Sequence, residues 1–296
     1  MSLSALAIPL TSGLMDGVLL FLIASGLTLL FGVLKLLNFA HGGLFMLGAF
    51  FGYSLALGHV FGTAAFVAAV LAAAVLTGVV GLVIERAVFQ RLYAGTEMQA
   101  LLGTYAVLLM LEGAAQLAWG VDPVSEPMPV NLSGAIFMGQ VAVPQYALLL
   151  LALTVAVLAA LEWTLRATRF GRHLRAVAED RQMATLLGIN SVWIARATVF
   201  AGTVLAGLGG ALAAPTMALV PDVAGSFIIQ AFAVVIIGGL GSIYGALIAA
   251  LLAGVLNSFA AAYAPALSGY TLYALMVAVL VLRPQGLFGS APEAEY

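Results

Sequence analysis

Cysteine is absent from the chain, which excludes disulfides, thiol catalysis and thiolate metal sites. Lysine occurs once, as Lys35 between Leu34 and Leu36, so there is no Gly-Lys-Ser/Thr phosphate loop and no ATP hydrolysis by that route. The three histidines, His41, His59 and His173, form no HExxH pair, and no Gly-x-Ser-x-Gly elbow is present. An enzyme is therefore not expected, and neither a catalytic residue nor a metal ligand is assigned. Charged residues make up 7% of the chain, against roughly a quarter in soluble proteins. The net charge of −2 gives no electrostatic hold on nucleic acid. The start, MSLSALAIPL, lacks the basic n-region of a secretory signal peptide.

What the chain does have is apolar length. Hydrophobic residues make up 64% of it, in recurring runs of about 20, each enough as a helix to cross a hydrocarbon core of about 30 Å. Runs such as Ala64 to Ile84 do not alternate in polarity, which excludes a membrane β-barrel. The expectation is an all-α, polytopic helical membrane protein forming one domain over residues 1–296. The spans read as Pro9 to Leu34, Leu44 to Leu57, Thr63 to Ile84, Met98 to Trp119, Tyr146 to Leu165, Val192 to Ala214, Phe227 to Ile237, Ile243 to Ala262 and Leu272 to Leu282. The count is eight or nine, because the Gly-rich pieces around Gly42 and Gly239 are candidates for half-helices.

Basic residues mark the cytoplasmic side. That rule puts Arg86 and Arg91, the stretch from Arg166 to Arg181, and Arg283 inside. The polar segment Gly120 to Gln140, without Lys or Arg, falls outside, as does Pro215 to Gly225. The N-terminus is then outside and the C-terminus cytoplasmic.

Half of the ten basic residues lie in one island, residues 166–190, reading RATRFGRHLRAVAEDRQMATLLGIN. Within it, Ala176 to Leu187 reads as a short basic amphipathic helix, with Met183, Leu186 and Leu187 on one apolar face. Gly188 suits a left-handed C-cap, and Asn190 or Ser191 can cap the next helix. Such a helix between two spans is suited to docking on a cytoplasmic partner or on anionic lipid. Ala184 and Gly188 allow close approach, while Glu179, Asp180 and Arg181 supply polar contacts.

The few polar groups in the apolar runs are the candidates for a substrate pathway. Asn38 either caps a helix starting near Phe39 or, with His41 and exposed amides at Gly42 and Gly43, lines a break in the membrane. Gly239, Gly241 and Ser242 form a second Gly-rich break, and comparison of HGGLFMLGAF with IGGLGSIYGALIAALLAG suggests an internal repeat. The alternative is that these glycines serve close helix packing. Glu112, with Gln116 one turn on, is the deepest carboxylate and needs a partner or a cavity. Asp16 reads as hydrated near the outer face, and Asn257 as an interhelical hydrogen bond.

Three blocks, LNFAHGGLFMLGAF (Leu37 to Phe50), GRHLRAVAEDRQMATLLGIN (Gly171 to Asn190) and IIGGLGSIYGALIAALLAGVL (Ile236 to Leu256), resemble the branched-chain amino acid permeases of ATP-binding-cassette importers. Within that family the chain resembles the LivH-type subunit. The resemblance implies transport of Leu, Ile and Val with no cofactor in this chain, ATP being used by partner subunits. It also implies a coupling helix in the middle block, matched at Ala184 and Gly188 of a divergent Glu-Ala-Ala-x3-Gly motif. The implied partners are a second, homologous permease, two ATPase subunits, an extracytoplasmic substrate-binding protein and membrane lipid. Urea and short amides are the alternative cargo in the same family. From another class, an ion-coupled secondary transporter would need a deep carboxylate such as Glu112.

Overall fold

The computed structural model describes residues 3–35, 37–56, 62–92, 95–138 and 141–289. Lipid offers no partner for backbone N–H and C=O groups, so long apolar runs bond internally as helices. The order is α1 (Leu3–Leu34), α2 (Ala40–Ala56), α3 (Thr63–Ile84), α4 (Gln90–Leu92), α5 (Glu97–Trp119), α6 (Gln145–Ala167), α7 (Arg169–Glu179), α8 (Arg181–Leu186), α9 (Ser191–Ala213), α10 (Val223–Gly238), α11 (Ile243–Tyr263) and α12 (Thr271–Leu282). Seven helical segments among the described residues are long and apolar enough to cross a membrane. The two short helices α2 and α10 complete the bundle, and both border the Gly-rich stretches. The expected eight or nine spans thus resolve as seven long segments and two short ones. Leu57 and His59 lie outside the described residues.

The central element is α1, whose Phe21, Leu22, Ile23 and Ala24 are fully buried. It packs along α11 through small residues. A β-carbon on Gly13 would sit 2.6 Å from Val255 Cα, and one on Gly17 2.9 Å from Leu251 Cα. Backbones this close replace side-chain interdigitation with direct van der Waals contact, the usual basis of helix association in lipid.

After Leu34 the chain turns back into the bundle instead of leaving it. His41 Nε2 reaches the carbonyl of Ile23 at 3.1 Å. Ile23 lies eleven residues before the last residue of α1, or about 16 Å along the axis at 1.5 Å per residue. Helix α2 therefore starts deep inside the bundle.

The basic clusters collect at one end. Val33, Leu34 and Lys35 line a groove with Val177 and Arg181. Leu30 and Leu34 meet Phe89 and Leu92, next to Arg86 and Arg91. Gly32 faces Gly241, and Gly239 lies against Gly289 just after Arg283. At the opposite end, Val124 and Leu219 exchange backbone hydrogen bonds of 3.0 and 2.8 Å, joining the 120–144 segment to the 214–222 loop.

The polar stretch and the residues after it carry an antiparallel strand pair, β1 (Ala135–Met138) with β2 (Val141–Pro144), and one expectation changes. The third span does not stop at Glu85 but continues through a π-helical turn, Glu85–Phe89, into α4.

Candidate functional site

The 166–190 island does not form one helix over Ala176 to Leu187. It forms two, α7 and α8, broken at Asp180, whose φ/ψ of −143°/102° is extended. The reason is local: the Asp180 carboxylate accepts from the Met183 N–H at 2.8 Å, capping α8 and ending α7. At the other end of α8, Gly188 has φ +86°. Its N–H bonds to Thr185 O and that of Ile189 to Ala184 O, both at 3.0 Å, which is a Schellman closure. Asn190 then caps α9 through Trp193 N at 3.0 Å.

These two helices are fixed on one side and open on the other. Leu174, Val177 and Ala184 are buried with Leu29 and Val33 of α1 and with Ile194 and Leu205 of α9. Glu179, Asp180, Arg181 and Gly188 are exposed. Met183, Leu186 and Leu187 are 52%, 76% and 75% exposed, so the apolar face of α8 points away from the chain's own core. Of the coupling candidates, only Ala184 belongs to the interior.

The pathway candidates are not assembled into one site. Asn38 does not cap α2 with its side chain; its Oδ1 is buried without a hydrogen-bond partner among the described residues. His41 is fully buried, bonded at Nε2 and unpartnered at Nδ1. Gly42 and Gly43 lie within α2 and are buried, and the Gly42 N–H bonds to Phe39 O. Helices α10 and α5 cover the first turn of α2. Gly42 abuts Ala224 and Ile228, and Gly43 abuts Leu108 and Leu111.

Glu112 is half-buried and accepts from the Gly225 N–H in the first turn of α10, with Asp222 nearby. A helix N-terminus is a favourable partner for a carboxylate, so Glu112 joins α5 to α10. Gly239 and Gly241 have φ +98° and +84°, and the Ser242 hydroxyl caps α11 through Gly245 N at 3.1 Å. Gly241 and Ser242 also line a cavity of about 360 Å³ at the basic end, beside Thr28, Gly32, Arg166 and Arg175.

A separate cavity of about 320 Å³ lies toward the opposite end, between α1, α10, α11 and α12. Its polar lining includes Asp16, Gln230, Asn257 and Tyr273, and its apolar lining includes Leu19, Leu20 and Phe227. At about 100° per residue, Asp16, Leu19 and Leu20 occupy the side of α1 opposite Thr28, Leu29, Gly32 and Val33, which line the basic-end cavity. The two cavities thus do not join along α1. The structure moves attention from Glu112 to Asp16, and Asn257 is both an interhelical bond, accepting from Thr271 Oγ1 at 3.0 Å, and a cavity residue.

A family model described as the branched-chain amino acid transport system permease component matches residues 10–280. The chain belongs to this permease family. BraD, a high-affinity branched-chain amino acid transport system permease protein of Pseudomonas aeruginosa, is 30% identical over 97% of this chain and 96% of its own. LivH of Escherichia coli K12, with the same description, is 28% identical over 93% and 92%. The solved PsaBC of Streptococcus pneumoniae in complex with Fab covers 94% of this chain and 89% of its own, with a TM-score of 0.45 and 13% identity, too distant to carry an argument.

The permease also holds polar residues that the sequence reading passed over. Arg196 of α9 lies with Nε 3.6 Å from the Glu85 carboxylate, which is 1% exposed and also receives Gln90 Nε2 at 3.2 and 3.3 Å. A single charge in a 23-residue apolar helix is itself a sequence signal, and it marks this pair. Glu126, in the loop at the opposite end, is buried near Gly52 with Oε2 unpartnered, and burial pushes its carboxyl up to about 7. Gln230 has no motif around it and is identified only by the cavity.

Proposed function

We propose that this permease is a membrane-spanning subunit of an ATP-driven importer of branched-chain amino acids. It sits in a bacterial plasma membrane, with its N-terminus outside and its basic end and C-terminus in the cytoplasm. Energy has to enter from outside the chain, because no phosphate loop is available to hold a nucleotide. Its partners are two ATPase subunits, a second homologous permease and an extracytoplasmic binding protein.

The observation that carries this reading is the two-sided geometry of α7 and α8. Their outer face leaves Met183, Leu186 and Leu187 exposed, whereas their inner face is packed on α1 and α9. A partner that grips α8 therefore pulls on α1, and α1 lines the membrane cavity through Asp16, Leu19 and Leu20. Helix α8 is the coupling helix, with Glu179, Asp180 and Arg181 at its start and Gly188 at its end.

Gly188→Trp tests the assignment. It forces a bulky residue into φ +86° and places its ring in open space beside α8. The expected outcome is loss of ATP-driven uptake and of ATPase co-purification, with normal membrane insertion. Wild-type recovery of the ATPase would remove α8 from the interface. Damage only when several of Arg166, Arg169, Arg172 and Arg175 are neutralised would assign the island to anionic lipid instead.

A further inference from the structure

The cavity between α1, α10, α11 and α12 has a lining that is asymmetric in a chemically specific way. Asp16 is its only formal charge and has no hydrogen bond or ion pair among the described residues. It lies eighteen residues before the end of α1, inside a helix of membrane-crossing length. It is exposed and not packed among other side chains, so a cation or water can reach its carboxylate.

Across the cavity stand neutral donors. Gln230 projects from α10 with no partner among the described residues. Asn257 of α11 spends its Oδ1 on Thr271, leaving its amide N–H group for the cavity. Tyr273 of α12 adds a hydroxyl. Leu19, Leu20 and Phe227 make up an apolar wall. These groups come from four helices, α1, α10, α11 and α12, and only the fold brings them together.

We propose that this cavity is a transit site for a zwitterionic aliphatic α-amino acid, with Asp16 receiving the ammonium group. The inference rests on the importer reading above and specifies where the cargo pauses inside this chain. Gln230 and Asn257 donate to the cargo carboxylate, and the Leu19–Leu20–Phe227 wall receives the branched side chain. The volume, about 320 Å³, is at the small end of ligand pockets, as one amino acid requires. A single carboxylate opposite neutral amides leaves the site without a fixed cation, so the bound cargo is held by one strong contact and several weak ones. A transit site needs that balance, since cargo must leave again.

The test uses the full complex, reconstituted in liposomes with its paired permease, both ATPases and the binding protein. Labelled leucine uptake, leucine-stimulated ATPase rate and complex recovery are measured for wild type, Asp16→Asn and Asp16→Glu. Uptake by Asp16→Asn should fall by about tenfold or more, because the amide keeps the shape of the side chain but removes the charge that receives the ammonium group. Stimulated ATPase and complex recovery should stay near wild type, and Asp16→Glu should restore most of the uptake. Wild-type uptake by Asp16→Asn overturns the site while the importer reading stands. Parallel loss of uptake, ATPase and recovery makes Asp16 a packing residue and also overturns it. Absence of ATP-driven leucine uptake in the wild type defeats the importer reading itself, and the site falls with it.

Discussion

Replacing Glu126 by Gln should abolish a pH dependence of stability whose size follows from the burial of one carboxyl. Glu126 is 6% exposed, and its Oε2 has no hydrogen-bond partner among the described residues. Burial moves its ionisation from 4.5 up to about 7. Between those values the folded protein holds a proton that the unfolded chain has released. Stability contributed by the neutral form is therefore complete below 4.5, declines as pH rises, and is lost above about 7. The gap between the two values corresponds to about 3 kcal/mol. In a chain of this length that is on the order of 5–10 °C of melting temperature. Thermal unfolding in detergent, followed from acidic to mildly alkaline pH, reads it directly. Wild type should lose stability relative to Glu126→Gln across that window, and the two curves should run parallel above it. An identical pH slope in both proteins would mean that Glu126 is hydrated in solution and that the loop does not bury it.

Three further outcomes are expected. Gly42→Val should reduce both uptake and melting temperature, because even its β-carbon would lie 2.4 Å from Ala224 O and 2.7 Å from Ile228 Cβ, an overpacking worth about 1–3 kcal/mol; Gly113→Val, which meets no atom within 4 Å, is the control and should be nearly silent. Glu85→Ala should destabilise the protein by roughly 1–3 kcal/mol, less than for a fully buried pair because the Arg196 side chain is 41% exposed; the double variant with Arg196→Ala should recover part of the loss, and strict additivity would show the pair to be uncoupled. Ser133→Cys, in a chain without other cysteines, should react with an impermeant thiol reagent added outside intact cells, and labelling only from the cytoplasmic face would invert the topology.

Much of the bundle is legible because lipid imposes one rule on every span: apolar length becomes helix. The cap at Gly188 was equally legible, since a glycine after an apolar periodic stretch has few other uses. The break at Asp180 was hidden by the uniform helix-forming composition around it, although Asp three residues before the Met183 amide is a capping signal. The start of α2 deep inside the bundle has no local signal, because it depends on His41 finding the Ile23 carbonyl. Gly42 and Gly43 could be read from sequence as a lining or as a packing surface, and the α10 and α5 residues they abut lie far away in sequence. The cavity was illegible for the same reason: Asp16, Gln230, Asn257 and Tyr273 belong to four helices, and no periodicity relates them.

The central claim, that this permease imports branched-chain amino acids only when a separate ATPase drives it, is tested most directly by leucine uptake into liposomes. They would contain this chain and its paired permease, with the binding protein outside, and with or without the ATPase subunits and ATP. The account predicts uptake against a leucine gradient only when ATPase and ATP are both present, unaffected by collapsing the ion gradients. Concentrative uptake by the permeases alone, abolished when the ion gradients are collapsed, would contradict it.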